Sequence, residues 1–304
     1  MGTASRREFL KSSTAVVVGG GSAAALLRDF AQATTADSSG ASAIKKGLVY
    51  SMLPNSLPHA ARFKLARNTG FEVMQAPTTP DQKEAEEMQR AAVSSGIRID
   101  SVMNMDHWNY PLSSGDPSVV EKSLAGMRMS LHNAKLWGSD VVLLVPAVVN
   151  PQTSYRDAWT RSQLQIRKLL PLAAELKVVI GIEEVWNKFL LSPLEMKQYI
   201  AEFRSPWIKA WFDVGNVLLY GYPQDWIRTL GKDIVKLHIK DFKRKENGYA
   251  WVNLGDGDAD WPEIRKALVE IEYAGNAIVE LEGGDEAYLR DVSQRLDRLL
   301  LGKS

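Results

Sequence analysis

Four short apolar runs in the second half of the chain close on groups that can hold a cation or move a proton. Ile182 leads into Glu183 and Glu184, Phe212 into Asp213, Leu237 into His238, and Val279 into Glu280. The chain has no cysteine, so thiolate sites, disulfides and a cysteine nucleophile are excluded. Three carboxylates and an imidazole suit a hard or borderline divalent ion better than a structural zinc built on sulfur. A carboxylate can also take a proton from a carbon acid and return it. A surface ion pair would account for any one of these residues alone. Four in succession, each behind an apolar run, point to one shared site. Glu184 alternates to the other side of its strand, and a structural salt bridge is the role expected for it.

These residues converge only if the elements carrying them are strands of one closed sheet. Strand candidates run over Leu48–Met52, Phe71–Gln75, Ile99–Asn104, Val141–Pro146, Val178–Glu183, Ala210–Asp213, Ile234–Lys240 and Ala277–Leu281. Most are continuous and β-branched, as strands buried on both faces should be. Helical patterns lie between them. Val120, Leu124, Met127, Leu131 and Ala134 recur at steps of three and four, with Gly138 as a stop. Asp260 and Glu263 form a capping box around Pro262. Ile264, Leu268 and Ile271 share one apolar face, and Leu289, Val292, Leu296 and Leu299 another. Strand and helix alternating eight times predict a single-domain α/β fold, a (β/α)8 TIM barrel over residues 46–304, whose function gathers at the C-terminal strand ends. A doubly wound open sheet is the alternative, but no glycine-rich phosphate loop follows the first strand.

The 37 basic and 36 acidic residues among 304 give no electrostatic case for nucleic acid or an anionic membrane. Four histidines are too few for a multi-metal nuclease. Near the N-terminus, Ser5-Arg6-Arg7-Glu8-Phe9-Leu10-Lys11, a weakly apolar stretch from Thr14 to Leu27, and Ala31-Gln32-Ala33 resemble a twin-arginine export signal over residues 1–33. The apolar run is short and glycine-rich for a spanning helix, so stable membrane insertion is not expected. Residues 34–45 read as a linker. The expected location is periplasmic or extracytoplasmic.

The motifs Glu183-Glu184-Val185-Trp186-Asn187, Phe212-Asp213-Val214-Gly215-Asn216, Leu237-His238-Ile239-Lys240-Asp241, Gly255-Asp256-Gly257-Asp258-Ala259-Asp260-Trp261 and Val279-Glu280-Leu281-Glu282-Gly283-Gly284 resemble the sugar phosphate isomerase/epimerase family of xylose-isomerase-like barrels. The resemblance covers roughly Lys46 to Leu300. It implies a divalent metal held by Glu183, Asp213, His238 and Glu280, with Mn2+ expected and Co2+, Mg2+ or Zn2+ as alternatives. It further implies a small-molecule sugar substrate, and it is compatible with a homo-oligomer. Arg244 matches an arginine that several relatives keep for substrate. Asn216 stands where epimerases often carry a histidine, Phe189 where they often carry a glutamate, and Gln75 where many relatives have a glutamate. Arg244, Asn216, Lys240 and the His107-Trp108 pair are the expected substrate contacts, although Lys240 is weighed against a simple pairing with Asp241.

Such a site would isomerise or epimerise a keto-sugar or related polyol through an enediolate, with Glu183 and Glu280 as the acid/base pair. The alternative is a metal-dependent lyase or hydratase that eliminates the β-substituent of a 3-keto-glycoside. A non-catalytic sugar-binding barrel is disfavoured by the intact carboxylate pair.

Overall fold

The computed structural model describes residues 44–104 and 106–302. The expected export signal, and the linker up to Ala43, lie outside the described residues. Strand and helix alternate as β1 (Lys46–Val49), α1 (His59–Asn68), β2 (Val73–Pro77), α2 (Gln82–Ser95), β3 (Arg98–Met103), α3 (Pro117–Trp137), β4 (Val141–Leu144), α4 (Tyr155–Leu176), β5 (Val179–Glu183), α5 (Pro193–Ala201) and β6 (Ile208–Asp213). A short α6 (Val214–Val217) and α7 (Pro223–Leu230) lead to β7 (Ile234–Ile239). A hairpin of β8 (Asp241–Lys245) and β9 (Gly248–Val252) interrupts the alternation, which resumes with α8 (Trp261–Glu270), β10 (Asn276–Val279) and α9 (Glu286–Leu299).

The eight strands form a closed barrel in the order β1-β10-β7-β6-β5-β4-β3-β2. β1 pairs in parallel with both β10 and β2, which closes the ring. The eight apolar runs are therefore the eight barrel strands. The first is displaced: Tyr50–Met52 leave β1 as a turn of 3-10 helix at the mouth. Gly138 ends α3 with φ at 70°, and the side chain of Asp260 caps α8 on Glu263 N. The helix faces read from the 3.6-residue period are buried, including Leu124, Met127, Leu131, Ile264, Leu268, Leu289, Val292 and Leu296. Among the described residues no helix is long and apolar enough to cross a membrane.

Sequence periodicity left the hairpin unseen. Only Asp241 and Phe242 of β8 are buried, so no continuous apolar run marks it. The Glu246-Asn247 turn ahead of Gly248, whose φ is 121°, was the available signal.

The barrel's N-terminal end is filled by charge. Lys236 Nζ lies 2.7 Å from Asp100 Oδ2 and 2.9 Å from Asp140 Oδ1. Asp100 also accepts from Asn276 Nδ2 at 2.7 Å and from Arg98. Lys236 and Asp100 are buried, so β3, β7 and β10 are cross-linked inside the barrel. Removing one member of such a pair strands the other charge out of water. Asp100→Ala is expected to lower unfolding free energy by about 3–5 kcal/mol, read from urea denaturation of the full chain.

Candidate metal centre

Each side chain of the cluster is delivered by the end of its own strand. Glu183 is the last residue of β5 and Asp213 the last of β6. His238 is the penultimate residue of β7, in register with Asp213 on one side and Ile278 on the other. Glu280 stands one residue past β10. One oxygen or nitrogen from each of the four lies within 4.8 Å of the others. His238 Nδ1 is 2.6 Å from Glu183 Oε1, 3.3 Å from Glu280 Oε2 and 3.8 Å from Asp213 Oδ2.

Local hydrogen bonds aim these groups. Asp213 Oδ1 accepts from Gly215 N at 2.8 Å and Asn216 N at 3.0 Å, capping α6 and leaving Oδ2 for the cluster. On its far side His238 meets Gln75 Oε1, with Nε2 at 2.8 Å. An amide oxygen only accepts, so Nε2 carries the proton toward Gln75. Nδ1 faces the three carboxylates, where it holds a proton toward Glu183 or would offer its lone pair to a bound cation. A metal-bound imidazole needs this arrangement, with one nitrogen ligating and the other donating to a fixed acceptor. One imidazole nitrogen and three carboxylate oxygens in an enclosed site fit a divalent cation.

Lys240 supplies positive charge of the protein's own. Its Nζ lies 2.8 Å from Asp213 Oδ2 and 2.5 Å from Glu280 Oε2. Burial pushes the Glu183 carboxyl upward, against the pull of His238. Burial would also raise Glu280, but His238 and Lys240 outweigh it and hold Glu280 below the usual carboxylate range. For His238, burial favours the neutral ring, yet Glu280 and Glu183 outweigh it and raise the imidazole. Lys240 is likewise raised, its desolvation overcome by Asp213 and Glu280. The two glutamates thus sit in one cluster with their proton affinities driven apart.

A family model for the xylose isomerase-like TIM barrel matches residues 63–299. This chain belongs to that family. The barrel is similar to L-ribulose-5-phosphate 3-epimerase UlaE of Escherichia coli O1:K1 / APEC, 24% identical over 249 residues, which are 78% of this chain and 87% of the relative. Among solved structures it resembles D-psicose 3-epimerase with D-tagatose from Clostridium cellulolyticum H10, with a TM-score of 0.71 at 18% identity over 85% of this chain and 99% of the other. It also resembles a xylose isomerase-like TIM barrel protein from Mycobacterium smegmatis in complex with magnesium, with a TM-score of 0.64 at 18% identity over 85% and 97% of the two chains.

Around the cluster, this xylose isomerase-like barrel departs from several expectations. Lys240 pairs with Asp213 and Glu280, not with Asp241, because neighbouring side chains alternate in direction. Asp241 turns the other way and accepts from the backbone N–H of Phe242 (2.9 Å), Gly255 (2.8 Å), Gly257 (3.3 Å) and Ala259 (3.3 Å), and from Trp261 Nε1 at 3.1 Å. This buried carboxylate folds the Gly255–Trp261 stretch around itself, and a side chain at Gly257 would collide with it. Glu184 forms no ion pair among the described residues. It accepts from Asp213 N at 2.8 Å, and burial together with the Asp213 and Glu183 charges pushes its carboxyl well up.

Two expected sugar contacts are occupied elsewhere. Asn216 donates its amide to Glu184 O at 2.9 Å, and Arg244 donates its guanidinium to Leu218 O. Both hold the loop after β6. Phe189 is buried against Tyr155, Trp159 and Tyr199, so that position brings no charge to the mouth. His107 is buried, with Nδ1 unpartnered among the described residues, and burial lowers it to about 4 despite the Glu280 charge. It is a neutral ring, edge-on to Trp108 at 5.3 Å, and Trp108 is exposed.

Gln75 is the residue whose weight sequence comparison understated. Gln75→Leu keeps the volume and removes the acceptor for His238 Nε2. Its affinity for Mn2+ is expected to fall about 10- to 100-fold, measured by calorimetric titration of protein stripped with a chelator.

Proposed function

We propose that this chain is a divalent-metal-dependent sugar isomerase or epimerase acting on a keto-sugar or related polyol. The carrying observation is the pair Glu183 and Glu280, which reach the same His238 Nδ1 at 2.6 and 3.3 Å from strands three apart around the barrel. The names of its relatives support the same chemistry. The E. coli protein is an L-ribulose-5-phosphate 3-epimerase, and the Clostridium structure is a D-psicose 3-epimerase with D-tagatose. Epimerisation beside a ketone requires a proton to leave carbon on one face and return on the other.

Glu183, Asp213, His238 and Glu280 would hold the cation, with Mn2+ as our choice of ion. When bound, it supplies Lewis-acid polarisation of the substrate carbonyl. Glu183 and Glu280 reach the cluster from strands three apart around the barrel and form the acid/base pair. One takes the proton from the carbon beside the carbonyl, and the electron pair moves onto the carbonyl oxygen to form an enediolate. The other returns a proton to the opposite face for epimerisation. Return to the neighbouring carbon, with a proton passing between the two oxygens, gives isomerisation. The Lys240 ammonium stands beside Asp213 and Glu280 and donates to the oxygen that gains charge. His107, neutral and with an unpartnered nitrogen, hydrogen-bonds a sugar hydroxyl, and Trp108 covers a sugar face.

The Mn2+-loaded protein, incubated in D2O with D-psicose, D-tagatose and L-ribulose, is expected to place one deuterium on carbon in the product. Glu280→Gln should cut kcat at least about 100-fold. Turnover without deuterium at carbon, or full activity in the variant, would overturn the proposal.

Export belongs to the same proposal, supported by Arg6-Arg7 and the small-residue stretch after them. Replacing both arginines with lysine is expected to keep the protein in the cytoplasm on cell fractionation.

A further inference from the structure

The hairpin β8–β9 builds an aromatic wall at one side of the mouth, directly beside Lys240. Antiparallel pairing puts Phe242 opposite Trp251 and Arg244 opposite Tyr249, so these four side chains share one face. Trp186, from the loop after β5, packs into that face. Its ring stacks on Trp251 with centroids 5.0 Å apart and meets Tyr249 edge-on at 4.8 Å. The wall is rigid, because Trp186 Nε1 donates to Asn216 O at 2.9 Å, Arg244 grips Leu218 O, and Asp241 anchors the hairpin base.

Packing the hairpin accounts for Phe242, which is fully buried. It does not account for Trp251 and Tyr249, which leave 41% and 49% of their surface in solvent. The wall is also continuous with the acidic cluster. Lys240 Nζ, in contact with Asp213 and Glu280, lies 5.5 Å from the centre of the Trp251 ring. A group attached to a sugar held at the cluster therefore meets the indole next. That face offers a phosphate little: Arg244 is committed to Leu218 O, and Lys243 and Lys245 pair with Ala250 and Gly248 on the alternating positions. Flat apolar surface with no uncommitted cation on that face among the described residues suits an uncharged ring presented by its face.

We propose that Trp251, Tyr249 and Trp186 form a subsite for a second, uncharged ring joined to the reacting keto-sugar, so that the substrate is a glycoside whose ketone lies on a ring carbon other than the anomeric one; unoxidised glycosides are non-reacting probes of the subsite. This rests on the reading of the cluster as a sugar site. The ring is a second pyranose or an aromatic aglycone, both of which stack on indole through an apolar face.

The test is calorimetric titration of the Mn2+-loaded full chain with methyl, phenyl and glucosyl β-glycosides of D-glucose, D-galactose and D-xylose. For at least one sugar, the phenyl or glucosyl compound is expected to bind roughly tenfold tighter than the methyl one. A preference for phenyl identifies an aromatic aglycone, and one for glucosyl a second sugar. Trp251→Leu keeps apolar packing without a flat ring and, like Tyr249→Ala, should bring the ratio close to one. Mn2+ affinity reports whether each variant retains its fold. A ratio under twofold for every sugar, or a preference that survives in both variants, overturns the subsite. Because the readout is a binding ratio, it is independent of turnover. Failure of deuterium exchange would strike the proposed reaction and leave this ratio standing, while a flat ratio would leave exchange with free ketoses untouched.

Discussion

Three carboxylates cannot share a buried space unless positive charge shares it too. The mouth of this barrel is organised around that constraint. Glu183 and Asp213 are buried at the strand ends where they meet the partly exposed Glu280. Lys240 answers part of the repulsion, bridging two of the three. His238 answers more, and Gln75 decides which of its nitrogens faces the acids. The neighbouring backbone contributes as well: two N–H groups hold one oxygen of Asp213, and Glu184, better tolerated as a neutral acid, receives a third. A divalent cation would complete a balance that these groups only partly meet.

The opposite end of the barrel is also charged, but its charges neutralise each other. Lys236, Asp100, Asp140 and Arg98 form a closed set within the protein. The contrast follows the usual division of such barrels, in which the N-terminal end carries stability and the C-terminal end carries chemistry. A frustrated cluster at one end is tolerable because the other end is satisfied.

Much of this was legible in the residues. Eight apolar runs became eight strands because strands covered on both faces leave an unbroken hydrophobic signature. The acidic and imidazole residues closing the last four runs meet because a closed parallel sheet brings its strand ends to one rim. What escaped depended on direction more than position. From their motif positions Asn216 and Arg244 are expected to touch sugar, yet here both bind backbone carbonyls. A motif transfers a residue's place in the chain and leaves its rotamer open. Lys240 and Asp241 are sequence neighbours of opposite charge that face opposite ways. The hairpin escaped because most of its residues are solvent-facing, so the pressure that writes a hydrophobic pattern is absent.

Asp241 has a consequence for how such a barrel can diversify. Its carboxylate gathers backbone N–H groups, which every residue but proline supplies, and the indole N–H of Trp261. The clasp therefore asks little of the sequence between Lys243 and Tyr249. Drift in that stretch can reshape the rim while the strand bearing His238 and Lys240 stays in place. Selectivity and reactivity are joined by one residue yet can be inherited separately, which lets a lineage try new substrates without dismantling its chemistry.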